Sequence, residues 1–316
     1  MPTSSATHSE VAVVIPCYNV EQYLPRALNS VLAQTFRDFW IYAVNDGSAD
    51  QTLQILDEYS HCCVPISQAH SGTAAARNRG IRASTSPFIA FIDADDEWLS
   101  DKLDGQIALL KKNPALGMVC SFCSINESGS KGSAQVSPNG MPHSGRLFAH
   151  LARNCFVFTP TVVVRRQCLE DVGLFNESLT VSEDFNLWLR IAARWEIAVV
   201  PEVLAIAHKR PGSLSVGISP ELRLRSGVAS LQHVTATCPD LSSVERHALR
   251  LALAERIYFY GSYLLSVGAT GASRENLASV LKLQPTHCRA LAKLALSFIP
   301  GAATDVLAEQ KSTIRF

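Results

Sequence analysis

The sequence predicts an α/β fold: a doubly wound, mixed and mostly parallel sheet with a helical C-terminal appendage. Three observations predict it. Short apolar runs alternate with segments of helical spacing between residues 11 and 112. The connections between them are short. From residue 221 onward the strand signal stops and helical spacing alone remains.

In order, residues 11–17 (VAVVIPC) form an apolar run stopped by polar residues, the pattern of a buried parallel strand. Residues 21–35 carry Tyr23, Leu24, Ala27, Leu28, Val31 and Leu32 at helical spacing. A second strand, FWIYAV at 39–44, ends in the turn-forming Asn45-Asp46-Gly47-Ser48. A helix is expected over about 50–59, a weaker strand near 63–67, a helix over about 72–83 and a third strong strand, PFIAFI, at 87–92. Helix 101–112 follows. Residues 126–145, rich in Ser, Gly, Asn and Pro, read as an excursion loop. The order resumes with a strand at 157–165, a helix at 183–194, a short strand at 197–200 and a Pro/Gly-marked loop at 211–220. Helices are then expected over 221–237, 242–265, 273–283 and 286–297, with 248–297 resembling a single tetratricopeptide-like hairpin punctuated by Gly261 and Pro285. The apolar end of the last helix, Leu294 to Ile299, is too short to span a bilayer; it reads as lying on a surface or in the core, the core being favoured. The division is a polar leader at 1–9, an α/β domain over 10–220 and a helical region over 221–316.

Composition bounds the function. The chain has 316 residues, 47% of them apolar, enough for a large core. Its 28 basic and 28 acidic residues balance, which gives no electrostatic case for a nucleic-acid partner and leaves any anionic ligand to local groups. No secretory signal or membrane-length apolar stretch is visible, so the expected location is cytoplasmic, with peripheral attachment to the inner membrane face left open. Nine cysteines without a signal peptide read as reduced thiols, and Cys120 and Cys123, among apolar neighbours, read as core despite their CxxC spacing.

The chemistry concentrates where the strands end. Asp93-Ala94-Asp95-Asp96 directly follows the strand 87–92. Carboxylates so close repel one another, and a strand interior would not hold them. At the carboxyl end of a strand they sit where ligands bind in open α/β sheets. They suit a hard divalent cation, Mg²⁺ or Mn²⁺, which would also bind phosphate oxygens; a solvated acidic turn is the alternative. The same edge receives Pro16-Cys17-Tyr18-Asn19, Asn45-Asp46-Gly47-Ser48 and Ser71-Gly72-Thr73-Ala74-Ala75-Ala76-Arg77-Asn78-Arg79-Gly80. An aromatic ring can stack on a base, a carboxylate can accept from a base N–H, and a small-residue helix start with arginines can meet a base or a phosphate. A second acidic site, Ser182-Glu183-Asp184, precedes FNLWLRIAAR. Ser182 and the acids read either as a helix cap and first turn or as a site in which Asp184 is a general base. Trp188, one turn on, reads as core.

The segments VVIPCYNVEQYLPRALNSVLAQTF, VNDGSADQT, GTAAARNRGI and FIDADDEWL, in this order, resemble the family 2 glycosyltransferases of the GT-A fold over about residues 10–215. The resemblance implies a GT-A catalytic domain that transfers one sugar, with inversion, from a nucleotide-diphosphate sugar to a saccharide or lipid-linked acceptor. It implies that Pro16 and Tyr18 frame the base, that Asp46 reads it (usually uracil, hence a UDP-sugar), and that Arg77 lies in the base pocket. Asp95 would stand at the ribose and metal, Asp96 would be the metal ligand, and Asp93 would shape the turn. Asp184 would be the base, with Glu183 supporting the acceptor. Bacterial surface polysaccharide assembly is the associated setting.

One run departs from the family. Pro211-Gly212-Ser213-Leu214-Ser215 is present, but Ala207-His208-Lys209-Arg210 precedes it, with Arg210 at the usual histidine position and His208 at the usual arginine position. Either His208 becomes a metal ligand or Arg210 contacts the diphosphate. Processive polymerases of the family carry a Gln-x-x-Arg-Trp motif; here Ile191 precedes Arg194-Trp195, which favours one sugar per encounter. Two other readings share the fold. A sugar nucleotidyltransferase would carry a Gly-rich basic loop after the first strand, where this chain has Pro-Cys-Tyr-Asn. A non-catalytic nucleotide-sugar-binding module fits the altered 207–210 run but not the intact Asp95, Asp96 and Asp184.

Overall fold

The computed structural model describes residues 9–127, 133–136, 143–210 and 217–299. The leader up to residue 8, Pro211 to Ser215, and much of the 126–145 stretch lie outside them. The chain forms two compact units. One takes the residues up to Leu147 and Phe156–Gly217; the other takes Phe148–Cys155 and the residues from Ile218 onward.

The first unit is built on a sheet of ten strands among the described residues, in the order β3-β2-β1-β4-β9-β6-β10-β5, with β7 beside β6 and β8 beside β10. The strands are β1 (Val11–Cys17), β2 (Phe39–Asp46), β3 (Cys63–Gln68), β4 (Phe88–Phe91), β5 (Glu97–Trp98), β6 (Leu116–Glu127), β7 (Ser133–Val136), β8 (Ser144–Gly145), β9 (Val163–Arg165) and β10 (Glu196–Lys209). The helices are α1 (Leu24–Leu32), α2 (Thr52–Glu58), α3 (Thr73–Ala83), α4 (Lys102–Lys112), α6 (Arg166–Val172) and α7 (Glu183–Arg194), with α5 (Phe148–Arg153) in the second unit. The longest ladders, β1 on β2, β2 on β3 and β6 on β10, are parallel. Strands β9 and β5 run antiparallel to their neighbours.

Strand β1 shows why the sheet is central. Val11, Val13, Ile15 and Cys17 alternate onto one face, where Leu24, Ala27, Leu28 and Val31 of α1 meet Leu103, Ile107 and Leu110 of α4. The residues between them are buried as well, because α3 covers the opposite face. There Gly80 lets α3 approach: a Cβ at this position would lie 2.7 Å from Val14 Cγ1.

The structure adds elements that the sequence pattern hides. β6 is a twelve-residue strand between β9 and β10, although LGMVCSFCSINE has few β-branched residues. The short strand expected at 197–200 continues to Lys209, and Pro201-Glu202 is absorbed as a register shift between Val200 and Val203. The strand expected over 157–165 is reduced to β9, because Thr159-Pro160-Thr161 turns as a 3₁₀ helix. None of the nine cysteines forms a disulfide, and Cys120 and Cys123 are buried in β6.

The second unit is helical: α5, α8 (Pro220–Thr237), α9 (Ser243–Ser266), α10 (Thr270–Leu283) and α11 (Cys288–Leu296). Helix α9 opens with a capping box between Ser242 and Glu245. It packs closely on α10 at Gly261, whose carbonyl accepts from Ser273 Oγ at 2.7 Å. The end of α11, expected in the core, is instead open to solvent: Leu296, Phe298 and Ile299 are 42%, 63% and 57% exposed. No helix among the described residues is long and apolar enough to cross a membrane.

A buried lysine gives the first unit a measurable signature. Lys102 is fully buried on α4, donates to Gln106 Oε1 at 2.9 Å and lies over the Trp98 ring at 4.1 Å. Burial holds its pKa well below the usual lysine value. Between that lowered value and the ~10.4 of free lysine the unfolded chain binds the extra proton, so wild-type stability rises with pH in this window. Lys102→Met removes that gain. Urea midpoints at successive pH values should therefore show the variant-minus-wild-type difference falling as pH rises; a constant difference would contradict the assignment.

Candidate functional site

The site follows from the winding of the sheet. The chain steps outward from β1 to β2 and β3, then returns to place β4 on the other side of β1. That reversal opens a crevice at the carboxyl ends of β1 and β4. The loops after β1 and β2 are stitched together by side chains that take backbone N–H groups. Asn19, in a left-handed conformation at φ 50°, accepts from Ala49 N at 2.9 Å and donates its own N–H to Ser48 Oγ at 3.1 Å. Ser48 N donates to Asn45 Oδ1 at 3.0 Å and Val20 N to Thr52 Oγ1 at 3.0 Å.

At one end of the crevice Tyr18 is 46% exposed and stacks on His70, with ring centroids 4.1 Å apart and planes at 25°. Pro16 lies inside β1 opposite Val44. Asp46, which the resemblance assigns to the base, is 3% exposed and engaged by the protein. Its Oδ1 accepts from Gln68 Nε2 at 2.7 Å and Ser71 N at 2.8 Å; its Oδ2 accepts from Gly72 N at 2.9 Å and pairs with His70 Nδ1 at 3.0 Å. The carboxylate thus holds the 68–72 segment in place.

The acidic turn after β4 is met by three arginines. Asp93 Oδ1 accepts from Arg77 Nη2 at 2.6 Å. Asp95 Oδ2 accepts from Arg210 Nε at 2.8 Å, and Arg210 lies over the Tyr23 ring at 4.3 Å. Asp95's carbonyl accepts from Arg26 Nη2 at 2.6 Å, and Arg26 Nε pairs with Glu97 at 3.0 Å. Asp96 Oδ1 accepts from the backbone N–H of His208 at 3.0 Å, while the His208 ring pairs through Nε2 with Glu97 at 2.8 Å. Burial, then Asp93, raises the pKa of Asp95 against the pull of Arg210. Burial, then Asp93 and Asp95, raises that of Asp96 well above the usual carboxylate range. Hard oxygen donors with excess negative charge fit Mg²⁺ or Mn²⁺, which is commonly held by one or two carboxylates together with substrate phosphates. No cluster of three or more His, Cys, Asp or Glu placed to hold a metal occurs among the described residues, and the His208 ring is turned to Glu97.

Arg77, which the resemblance assigns to the base pocket, is held by two carboxylates. Besides Asp93 it donates from Nη1 to Glu183 Oε1 at 2.8 Å, and it lies over the Phe175 ring at 5.4 Å. Burial acts to lower its pKa, but Asp93, Glu183 and Asp184 together hold it firmly protonated. Glu183 is pushed up to about 7 by burial and by Asp184, against Arg77. Asp184 accepts from Thr159 Oγ1 at 3.1 Å on Oδ2 and from Phe185 N at 2.7 Å on Oδ1. Ser182, read as a side-chain cap, makes no such bond; it sits left-handed at φ 63° instead.

Sequence reasoning passed over His70, Glu97, Thr159 and Asn78. Glu97 extends the acidic run by one residue and Asn78 follows Arg77, so both carried a signal. Thr159 carried none, because its role depends on the 3₁₀ turn.

An open α/β sheet with this edge defines a glycosyltransferase when joined to the comparisons with known proteins. Residues 12–173 match the family model "Glycosyl transferase family 2", and the chain belongs to that family. It is 29% identical over 252 residues to an uncharacterized glycosyltransferase of Rickettsia felis, a match covering 78% of this chain and 40% of that protein. It is 31% identical over 183 residues to the Escherichia coli UDP-Glc:alpha-D-GlcNAc-diphosphoundecaprenol beta-1,3-glucosyltransferase WfgD, covering 57% of this chain and 69% of WfgD. The chain spans less than half the length of the Rickettsia relatives it matches first. In fold it is similar to S. aureus TarS 1-349 in complex with UDP-GlcNAc, with a TM-score of 0.68 at 20% identity over 91% of this chain and 90% of that one. The fold is that of the GT-A glycosyltransferases.

The turn after β2 tests this architecture. Gly47 has φ 75°, and a Cβ there would lie 2.8 Å from the backbone N of His70. Gly47→Ala should lower unfolding stability by about 1–3 kcal/mol, measured by urea denaturation, and displace the His70 ring from Tyr18. An unchanged midpoint would contradict this packing.

Proposed function

We propose that this chain is an inverting glycosyltransferase that moves one sugar from a nucleotide-diphosphate sugar, a UDP-sugar, to the hydroxyl of a saccharide or lipid-linked acceptor in surface glycoconjugate synthesis. The observation that carries the reading is the Arg77 bridge, which joins Asp93 of the acidic turn to Glu183, the neighbour of Asp184. Donor and acceptor chemistry therefore fall within the reach of one side chain. WfgD, a UDP-Glc:alpha-D-GlcNAc-diphosphoundecaprenol glucosyltransferase, and TarS, seen in complex with UDP-GlcNAc, support the choice of a UDP-sugar and of a lipid-linked acceptor.

In this reading the base stacks on Tyr18 beside Pro16, within the loop that Asp46 braces. Arg210 lies beside Asp95 and faces the diphosphate. Asp96, with Asp95, would hold Mn²⁺ or Mg²⁺, which when bound supplies positive charge to the departing diphosphate; a fold neighbour, the Pyrobaculum calidifontis mannosyltransferase PcManGT, is described with GDP-Man and Mn²⁺. Asp184 takes the proton from the acceptor hydroxyl as its oxygen attacks the anomeric carbon. The bond from that carbon to the diphosphate breaks, the nucleoside diphosphate leaves with the electron pair, and the configuration inverts. Thr159 donates to one oxygen of Asp184 and thereby orients it.

Two variants test the assignment in a screen of UDP-, GDP- and dTDP-sugars with and without Mn²⁺. Asp184→Asn should lower kcat by about 10²–10⁴-fold while donor affinity by calorimetry holds; loss of donor binding would make Asp184 a structural residue. Asp96→Ala should abolish Mn²⁺-supported turnover, and full activity in that variant would sink the metal assignment.

A further inference from the structure

We propose that Arg77 is a positioning residue. It fastens the acidic turn after β4 to the start of α7 and so sets where Asp184 stands, and it takes no part in reading the nucleobase. The proposal rests on the reading of Asp184 as the base.

Both arms of the guanidinium are committed. Nη2 donates to Asp93 at 2.6 Å and Nη1 to Glu183 at 2.8 Å, so one side chain spans segments separated by 90 residues (183 minus 93). The side chain is 4% exposed, and its buried Nε has no partner among the described residues. Both terminal nitrogens are thus engaged with carboxylates of the protein.

The start of α7 needs such a tie. Helix N-termini leave backbone N–H groups without intrahelical partners, and a side-chain cap normally fixes the entry of the chain. Here Ser182 is left-handed and makes no side-chain cap bond, a conformation that costs a non-glycine residue about 1–3 kcal/mol and persists where its surroundings enforce it. Two bonds from outside the helix supply that enforcement: Arg77 to Glu183 and Thr159 to Asp184. They act on adjacent residues, so releasing the first leaves Thr159 as the remaining one of the two, with Asp184 otherwise bonded only within its own turn, to Phe185 N.

Arg77 is itself rigidly placed. The next residue, Asn78, donates to the carbonyl of Phe175 at 2.9 Å and accepts from its N–H at 3.0 Å, which locks α3 to the 175 segment. The Phe175 ring lies under the guanidinium and packs edge-on against Phe91 of β4 and Trp188 of α7. The elements that carry Asp93, Arg77 and Glu183 are thus fixed to one another through a single aromatic cluster.

The test compares Arg77→Lys, Glu183→Ala and the double variant. An ammonium is a compact point charge and does not reproduce the planar fork on two carboxylates. With the donor that wild type uses, Arg77→Lys should lower kcat by about 100-fold, as expected for a misplaced base, while donor KM and calorimetric UDP affinity stay within about twofold. Glu183→Ala, which cuts the same tie from the other end, should show the same split, and the double variant should be no slower than Arg77→Lys. A loss of UDP affinity of about tenfold or more in Arg77→Lys would return Arg77 to the base pocket and overturn the proposal, as would independent, multiplying losses in the double variant. If Arg77→Lys does not fold, Glu183→Ala decides on the same criterion. If wild type binds UDP but transfers no sugar, the catalytic reading fails; UDP affinity and the thermal double-variant cycle then decide the tie, with additive melting shifts overturning it.

Discussion

One buried guanidinium holds the site of the first unit together. Arg77 stands among Asp93, Glu183 and Asp184, which come from two distant parts of the chain, and brings a single positive charge to them. Carboxylates gathered out of water would protonate or move apart without a cation. Breaking one side of such a buried pair typically costs about 3–5 kcal/mol, because the charge left behind has no partner. The elements must therefore fold so that α3, β4 and α7 converge on this point. Asn78, Phe175, Phe91 and Trp188 are the packing that makes them converge.

The rest of the crevice is organised by the same economy of polar groups. A parallel sheet is covered on both faces, so polar side chains gather at the ends of its strands. There the loops bond first to each other: Asn19 to Ser48 Oγ and the Ala49 N–H, Asp46 to the 68–72 segment, Thr52 to Val20. A loop whose own backbone donors are satisfied presents a fixed surface. Asp46 braces the segment that carries His70, and His70 in turn is stacked against Tyr18. A carboxylate in this position shapes this end of the crevice through its neighbours.

What the sequence disclosed follows the range over which its signals act. The strands β1, β2 and β4 and the helices between them rest on local periodicity, so their alternation and order were legible. β6 was not, since Gly117, two Cys and two Ser dilute its apolar pattern and its burial comes from β9 and β10. The acidic turn and the Glu183-Asp184 pair were visible because clustered carboxylates are locally unfavourable and so call for a cause. Their partners were not visible. Nothing in the run Ala75-Ala76-Arg77-Asn78 says that the arginine meets Asp93 and Glu183, which lies 106 residues away. Thr159 owes its place to the turn that Pro160 imposes. The side-chain cap that was one of two readings of Ser182 is absent for a related reason: the tertiary tie to Glu183 does the work that a local cap does elsewhere.

The altered run before Pro211 becomes intelligible at this level. Side chains two residues apart along an extended segment lie on one face, so His208 and Arg210 point the same way and Lys209 between them is exposed. Both reach the acidic turn, His208 at Glu97 and Arg210 at Asp95. An exchange of the two residue types between these positions keeps both basic groups over the acids, which is what the local charge requires. It changes which acid each one meets. Asp95 acquires a resident guanidinium partner from within the chain. Asp96 is left with a backbone N–H, and burial together with Asp93 and Asp95 raises its pKa well above the usual carboxylate range. The demand for an additional cation in this crevice is thereby concentrated on Asp96, while Asp95 is already answered from within the chain.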